Sequence, residues 1–322
     1  LRTGGGFAEI KARLETPHSG KSIKRERIAT AITAGNPTLM ATVSFQSHVA
    51  AGAVGNAAAS FVNAAFGRDL WAVPTVLYSN HPAGRAFAGS VVSAQALHEW
   101  IAAFDENQLI DRVDRVQSGY LGAPDQAAVV LEVLAAARKS GRGVPYACDP
   151  VLGDQAAGLY VPKDVAATIR DTLVPAADIA TPNLFELSFL TGAPVATASD
   201  VWTAMRALQA VGPRIVVTTS VTTLDTAPDC IDTFLLDGPD GWVVTTPRIV
   251  CPAHGAGDVL TAAFFARLAA GEPTDTALSL AVSSVHSILK ASGDQLDLAL
   301  HTARDDLVSP MPGFLAVVRP PS

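Results

Sequence analysis

Cysteine is scarce in this chain. Cys148, Cys230 and Cys251 are the only three among 322 residues, too few and too scattered for a disulfide framework or a zinc site. That usage suits a reducing compartment, so the expected location is the cytoplasm. Charge is thin as well, at 16%. The balance of 23 Lys and Arg against 30 Asp and Glu leaves −7, which argues against general nucleic-acid binding. Long apolar runs are missing. The most hydrophobic segments are interrupted by Arg267, His286, Ser or Gly before they reach the roughly 18 residues a membrane span needs, so no membrane partner is expected. Apolar side chains are plentiful, at 49%, and the chain is long enough to bury them in one large or two ordinary domains.

Residues 1–39 stand apart. They hold Gly4-Gly5-Gly6 and seven Lys or Arg against three Asp or Glu, a local +4 in an acidic chain, without the apolar core of a signal peptide. The segment is expected to be a disordered or non-native extension ahead of a single domain at 40–322, with Met40 an alternative first residue. It also contains a decoy, Ser19-Gly20-Lys21-Ser22, which matches the end of a phosphate-binding P-loop. The full pattern needs Gly where Glu15 stands, and a strand where Thr16-Pro17-His18 stands.

From residue 41 onward, apolar runs and amphipathic stretches alternate. Strands are predicted at 41–45, 69–76, 115–118, 144–148, 177–180 and 214–217, with a hairpin from 230–236 and 241–246 around Asp237-Gly238-Pro239-Asp240. Helices are predicted at 57–66, 93–104 (with Leu97, Trp100, Ile101 and Phe104 on one face), 125–138, 164–173, 184–190, 200–211 and 275–289. The tail, with Pro310, Pro312 and Pro320, shows no clear pattern. Such alternation implies a mostly parallel sheet covered on both faces. Ligands of such sheets lie beyond the carboxyl ends of the strands.

The chemistry-bearing residues fall at those ends. His254-Gly255-Ala256-Gly257-Asp258 runs into an Ala-rich segment that reads as a helix. Helix-start N–H groups can hold an anion, and glycine lets a phosphate come close. Asp258 would sit beside that anion hole, placed to take a proton from an attacking alcohol, or it is only an N-terminal cap. Ser47, His48 and Asn56 follow the first strand as candidate substrate contacts, or as turn residues. Tyr78-Ser79-Asn80-His81-Pro82 follows the second. Asp149, fixed by Pro150, suits a Mg²⁺ ion or its water shell. Glu186 is either a second carboxylate for that ion or a partner of its own helix dipole.

With Ser44-Phe45-Gln46-Ser47-His48, Tyr78-Ser79-Asn80-His81, Cys148-Asp149-Pro150-Val151-Leu152-Gly153-Asp154, Thr181-Pro182-Asn183-Leu184-Phe185-Glu186 and Gly255-Ala256-Gly257-Asp258 in order, the chain resembles the pyridoxal kinases of the ribokinase-like superfamily. The resemblance runs from about residue 41 to the end. It implies an α/β, three-layer αβα sandwich around a mostly parallel sheet. It also implies ATP-dependent phosphorylation of the 5′-hydroxymethyl group of pyridoxal, pyridoxine and pyridoxamine, in vitamin B6 salvage. Asp258 would be the general base, and the N–H groups of Gly255, Ala256 and Gly257 the anion hole. Asp149 and Glu186 would place Mg²⁺ through waters, with Asp154 nearby. Thr181, Asn183, Thr219 and Ser220 would line the nucleotide phosphates. Tyr120 and Tyr160 would lie close to the nucleotide and the closing loop. Ser47, Val54 and His81 would contact the pyridine ring. The family pattern implies a homodimer and admits a monovalent cation.

Two positions depart from that pattern: Pro82 stands where Thr is usual in animal-type relatives, and Ala256 where Thr is usual in Gly-Thr-Gly-Asp. Pro82 removes a hydroxyl near the ring site and bears on vitamer preference. Ala256 leaves a backbone anion hole intact. The competing readings are a neighbouring kinase acting on hydroxymethylpyrimidine or a sugar, and a non-catalytic vitamer-binding protein. Retention of Asp258, Asp149 and Glu186 argues against the last.

Overall fold

The computed structural model describes residues 40–139, 141–311 and 313–319. The segment 1–39, with its Ser19-Gly20-Lys21-Ser22 run, lies outside the described residues, and so do Ser140, Pro312 and Pro320.

Among the described residues, ten strands form one sheet in the order β12 (Val317–Val318), β11 (Asp240–Pro247), β10 (Cys230–Asp237), β9 (Ile215–Val221), β8 (Ile179–Ala180), β5 (Tyr146–Cys148), β4 (Val113–Ser118), β1 (Ala41–Ala51), β2 (Asp69–Asn80) and β3 (Gly89–Val91), while β6 (Gly153–Asp154) and β7 (Gly158–Leu159) pair antiparallel in a ribbon of their own. The strands β1 (Ala41–Ala51), β2 (Asp69–Asn80), β4 (Val113–Ser118), β5 (Tyr146–Cys148), β8 (Ile179–Ala180) and β9 (Ile215–Val221) run parallel. The short β3 (Gly89–Val91) closes one edge antiparallel to β2. On the other side β10 (Cys230–Asp237) and β11 (Asp240–Pro247) form a hairpin, and β12 (Val317–Val318) pairs antiparallel with β11.

The first six residues of β1, Ala41 to Gln46, are all buried, as expected of a strand covered on both faces. Alternation then divides the side chains between two cores. Tyr146 and Cys148 face one core and Ala147 the other. The first core receives α2 (Ala94–Glu106), α3 (Gln126–Arg138), α4 (Lys163–Thr168, continued by a π-helical stretch to Leu173), α5 (Leu184–Thr191) and α6 (Ala198–Val211). The second receives α1 (Gly55–Ala65), α7 (Ala256–Ala269), α8 (Thr274–Ser292) and α9 (Arg304–Val308). The result is a three-layer αβα sandwich. The chain leaves β1 toward β2 on one side and returns to β4 on its other side, so a crevice opens at the carboxyl end of β1.

Three local expectations change. Strand β1 does not stop at Phe45. After an irregularity between Gln46 and His48 it keeps pairing with β2, His48 opposite Leu77 and Ala51 opposite Asn80. Backbone pairing carries the strand through polar residues that read as a turn. Trp100 is 45% exposed, and α2 packs through Leu97, Ile101 and Phe104 instead. The tail supplies both α9 and the edge strand β12.

Candidate active site

Helix α7 begins at Gly255, whose φ of 101° lies in the left-handed region. A Cβ there would stand 2.2 Å from the Ala53 carbonyl oxygen, so only glycine lets the α7 turn pack against the segment after β1. That packing sets Asp258, in the first turn of α7, against Gly55. The Gly55 N–H donates to Asp258 Oδ2 at 2.9 Å, across 203 positions of sequence. Gly55 is equally confined, with φ of 52° and a would-be Cβ 2.3 Å from Ser47 Oγ. Ser47, Val54 and Asp258 therefore meet around two glycines. His81, just beyond β2, joins them by stacking on His254, the residue before Gly255.

Burial pushes the Asp258 carboxyl up to about 6, with the Gly55 N–H opposing the change. The group is therefore mostly ionised at neutral pH but close enough to exchange a proton. The N–H groups of Ala256 and Gly257, at the first positions of α7, are free of intrahelical partners by their place in the helix, and the helix dipole adds to their pull on an anion.

Asp149 follows β5 and is buried. Its Oδ2 accepts from Thr261 Oγ1 at 3.0 Å, and Thr261 Oγ1 lies 2.8 Å from Thr181 Oγ1. Burial, then the charges of Glu186 and Asp258, hold the Asp149 carboxyl well above the usual range. Glu186 closes a capping box with Asn183 at the start of α5. It also reaches across to the segment after Asp149: Oε1 accepts from Leu152 N–H at 2.9 Å and from Gly153 N–H at 3.4 Å, while Oε2 accepts from Asn183 N–H at 2.8 Å. Even against these donors, burial pushes Glu186 up to about 8, with Asp154 adding to it. Asp154 is exposed and caps its own turn through Ala156 and Ala157.

Among the described residues, no Lys, Arg or His pairs with Asp149, Asp154, Glu186 or Asp258 within the 4.0 Å of a salt bridge. Among the described residues, no three His, Cys, Asp or Glu side chains gather closely enough to hold an ion directly. Asp149 and Glu186, buried hard oxygen donors with no paired cation among the described residues, fit Mg²⁺ held partly through its waters, the arrangement this ion favours. Tyr160 stands beside this set. Burial, followed by the charges of Glu186, Asp149, Asp258 and Asp154, raises its phenol.

The remaining expected residues divide. Asn183 and Thr219 form a parallel bridge, the Thr219 N–H donating to the Pro182 carbonyl at 3.0 Å. Ser220 follows at φ 54°, one of two non-glycine residues with positive φ among those described, and such backbone recurs at ligand sites. The hydroxyls of Thr219 and Ser220 form no hydrogen bond among the described residues, so both remain open to a phosphate. Asn183 is already committed, to Glu186 N–H and the Gly153 carbonyl, so its side chain braces the site. Thr181 likewise acts through Thr261. Tyr120 has Tyr78 as its neighbour, and burial, with Tyr78 adding to it, raises its phenol to about 12. Asn56 is fully buried and donates to the Gln46 and Val73 carbonyls, bracing β1 and β2 rather than touching a ligand. His48 points to solvent. Sequence reasoning missed Thr261, although its spacing three residues after Asp258 puts both on one helix face.

A doubly wound sheet with free N–H groups at the start of α7, a carboxylate in its first turn and further buried carboxylates beside it has the form of a ribokinase-like small-molecule kinase. A family model described as Phosphomethylpyrimidine kinase matches residues 91–300. A pyridoxal kinase PdxY of Leifsonia xyli subsp. xyli is 36% identical over 253 residues, covering 79% of this chain and 89% of that protein. One from Granulibacter bethesdensis is 33% identical over 286 residues, covering 87% of this chain and all of that protein. Among solved structures, pyridoxal kinase from Leishmania donovani in complex with ADP and pyridoxamine superposes with a TM-score of 0.80 at 29% identity, covering 87% of this chain and 99% of that one. This chain belongs to the pyridoxal kinase family, and it is a kinase.

Proposed function

We propose that this chain transfers the γ-phosphoryl group of ATP to the 5′-hydroxymethyl group of pyridoxal, and of pyridoxine and pyridoxamine, giving the 5′-phosphate and ADP. The observation that carries this reading is the meeting of Asp258 with Gly55, Ser47 and Val54, with the His81 ring stacked beside them. A carboxylate that is mostly ionised at neutral pH stands next to a hydroxyl, an apolar side chain and an imidazole, the groups that a ring-bearing alcohol would meet.

In this reading Asp258 takes the hydroxyl proton as the alcohol oxygen attacks the phosphorus. The N–H groups of Ala256 and Gly257 receive the charge that gathers on the transferring oxygens. Ser47, Val54 and His81 hold the ring, while Thr219 and Ser220 hold the nucleotide phosphates. Asp149 and Glu186, with Asp154 nearby, would hold Mg²⁺ through waters. When bound, the ion neutralises phosphate charge and orients the leaving group. A homodimer, a cytoplasmic setting and tolerance of a monovalent cation belong to the same reading. Among the described residues no helix is long and apolar enough to cross a membrane.

The family model's description raises hydroxymethylpyrimidine as the alternative acceptor. Its matched span begins at residue 91, after Ser47, Val54 and His81, so it speaks to the phosphoryl-transfer half and leaves the ring site open. Ser-Phe-Gln-Ser-His and Tyr-Ser-Asn-His favour pyridoxal. The deciding experiment offers Mg-ATP with pyridoxal, pyridoxine, pyridoxamine, hydroxymethylpyrimidine or ribose to the purified protein and measures ADP formation. Turnover of the B6 vitamers is expected. Turnover of hydroxymethylpyrimidine alone would refute the reading.

A further inference from the structure

His81 does not stand alone at the ring site. Its imidazole stacks on that of His254, with centroids 4.0 Å apart and planes 16° from parallel. The two rings come from different parts of the sandwich. His81 follows β2, whereas His254 is the last residue before the Gly255 cap of α7. The His254 backbone forms a parallel bridge with Asp297. Asp297 in turn lies against Gly52, where a Cβ would stand 3.2 Å from Asp297 Oδ1. The His254 backbone is thereby tied to the 297 segment, which in turn lies against Gly52 just after β1.

The hydrogen bonds around the pair give each ring a different role. His81 Nδ1 accepts from the Ala83 N–H at 3.3 Å. A neutral His81 with Nδ1 as acceptor carries its proton on Nε2, which leaves one N–H donor to offer. Burial first, and then the neighbouring His254, lower the His81 imidazole below its usual value, with Asp297 opposing. His254 forms no side-chain hydrogen bond among the described residues, and its visible contribution is its flat face.

We propose that His254 is a positioning residue for the acceptor: by stacking on His81 it ties the β2 side of the ring site to the anion-hole turn and fixes the His81 Nε2–H against a heteroaromatic alcohol. The inference rests on the kinase reading above and deepens its acceptor site. Among the described residues, the one hydrogen bond to the His81 ring is that from the Ala83 N–H, so loss of the stack leaves the ring more freedom about its own side-chain torsions. Aromatic pairing of this kind corresponds to a factor of about 2 to 10 in an equilibrium.

The test compares wild type with His254→Ala, His254→Leu and His254→Phe, varying pyridoxal and ATP separately. The Ala and Leu variants are expected to raise the acceptor KM by about 2- to 10-fold, with the KM for ATP and kcat at saturating acceptor within about twofold. The Phe variant keeps a flat face without ring nitrogens and is expected to restore the acceptor KM. An unchanged acceptor KM in both non-planar variants would overturn the inference. So would an equal shift in the KM for ATP, or failure of Phe to rescue. Equilibrium binding of pyridoxal, followed by its absorbance, reads the same contact without turnover. If wild type binds pyridoxal but forms no ADP, the kinase reading fails, while the variants' dissociation constants still decide the role of His254.

Discussion

Asp258→Asn should slow the enzyme and stabilise the fold in one step, and the structure gives the size of both effects. The side chain is part-buried, accepts one backbone N–H from Gly55, and has Asp149 nearby and, among the described residues, no cation paired with it. Raising a carboxylate from an ordinary value near 3.8 to about 6 means that its charged form costs roughly 3 kcal/mol in the folded state. Partial exposure discounts that to about 2 kcal/mol. Asparagine keeps the shape and the acceptor for Gly55 but removes the charge, so the fold should gain about 2 kcal/mol, or roughly 4 °C in Tm, at pH 8.

The sign of the pH dependence follows. A carboxyl raised on folding contributes stability below its unfolded value and loses it as pH rises through its folded value. The gap between the variant and wild type should therefore be absent near pH 3.5, open as pH rises toward 6, and be complete above 7. Loss of the base should cost kcat at least about 10²-fold, with the KM for ATP changed by no more than a few-fold. Wild-type kcat/KM should rise with pH through about 6, and the residual rate of the variant should not. Thermal unfolding across pH, together with steady-state kinetics, measures both. A near-normal kcat would remove Asp258 from the base role, and a lower Tm at pH 8 would refute the burial argument.

Three further outcomes are expected. Gly255→Ala places a Cβ 2.2 Å from the Ala53 carbonyl at a φ of 101°; it should cost about 1–3 kcal/mol in denaturant unfolding and, by shifting the α7 start, at least about tenfold in kcat. Asn56→Ala strips two buried carbonyls of their donor, so Tm should fall by the equivalent of about 1–3 kcal/mol while the KM for pyridoxal stays near wild type; a selective rise in that KM would return Asn56 to the substrate site. Glu186→Gln cannot accept from Leu152, Gly153 and Asn183 at once as the carboxylate does, and the Mg²⁺ concentration giving half-maximal rate should rise about tenfold or more; an unchanged Mg²⁺ titration would make Glu186 a helix cap only.

What the sequence showed and what it hid divide along a physical line. Apolar runs such as those at β5 and β9 reveal buried strands because burial is written in composition. Asp258 was legible because a glycine turn before an Ala-rich helix leaves few places for its carboxylate. The second half of β1 was not, because the pairing of His48 with Leu77 and Ala51 with Asn80 is made by backbone, and the polar side chains there carry no trace of it. Strand β12 is two residues long and exists only because β11 offers an edge. Asn56 looked like a ligand contact for the same reason that it is a good brace, since an amide serves either partner equally well. The site itself is a set of long-range meetings: Gly55 with Asp258, Thr261 with Asp149, His81 with His254. Motif order indicates that such residues belong together. Only the packing of α7 against the segment after β1 says which atoms touch, and so turns two glycines into the reason that Asp258, Ser47, Val54 and the start of α7 share one corner.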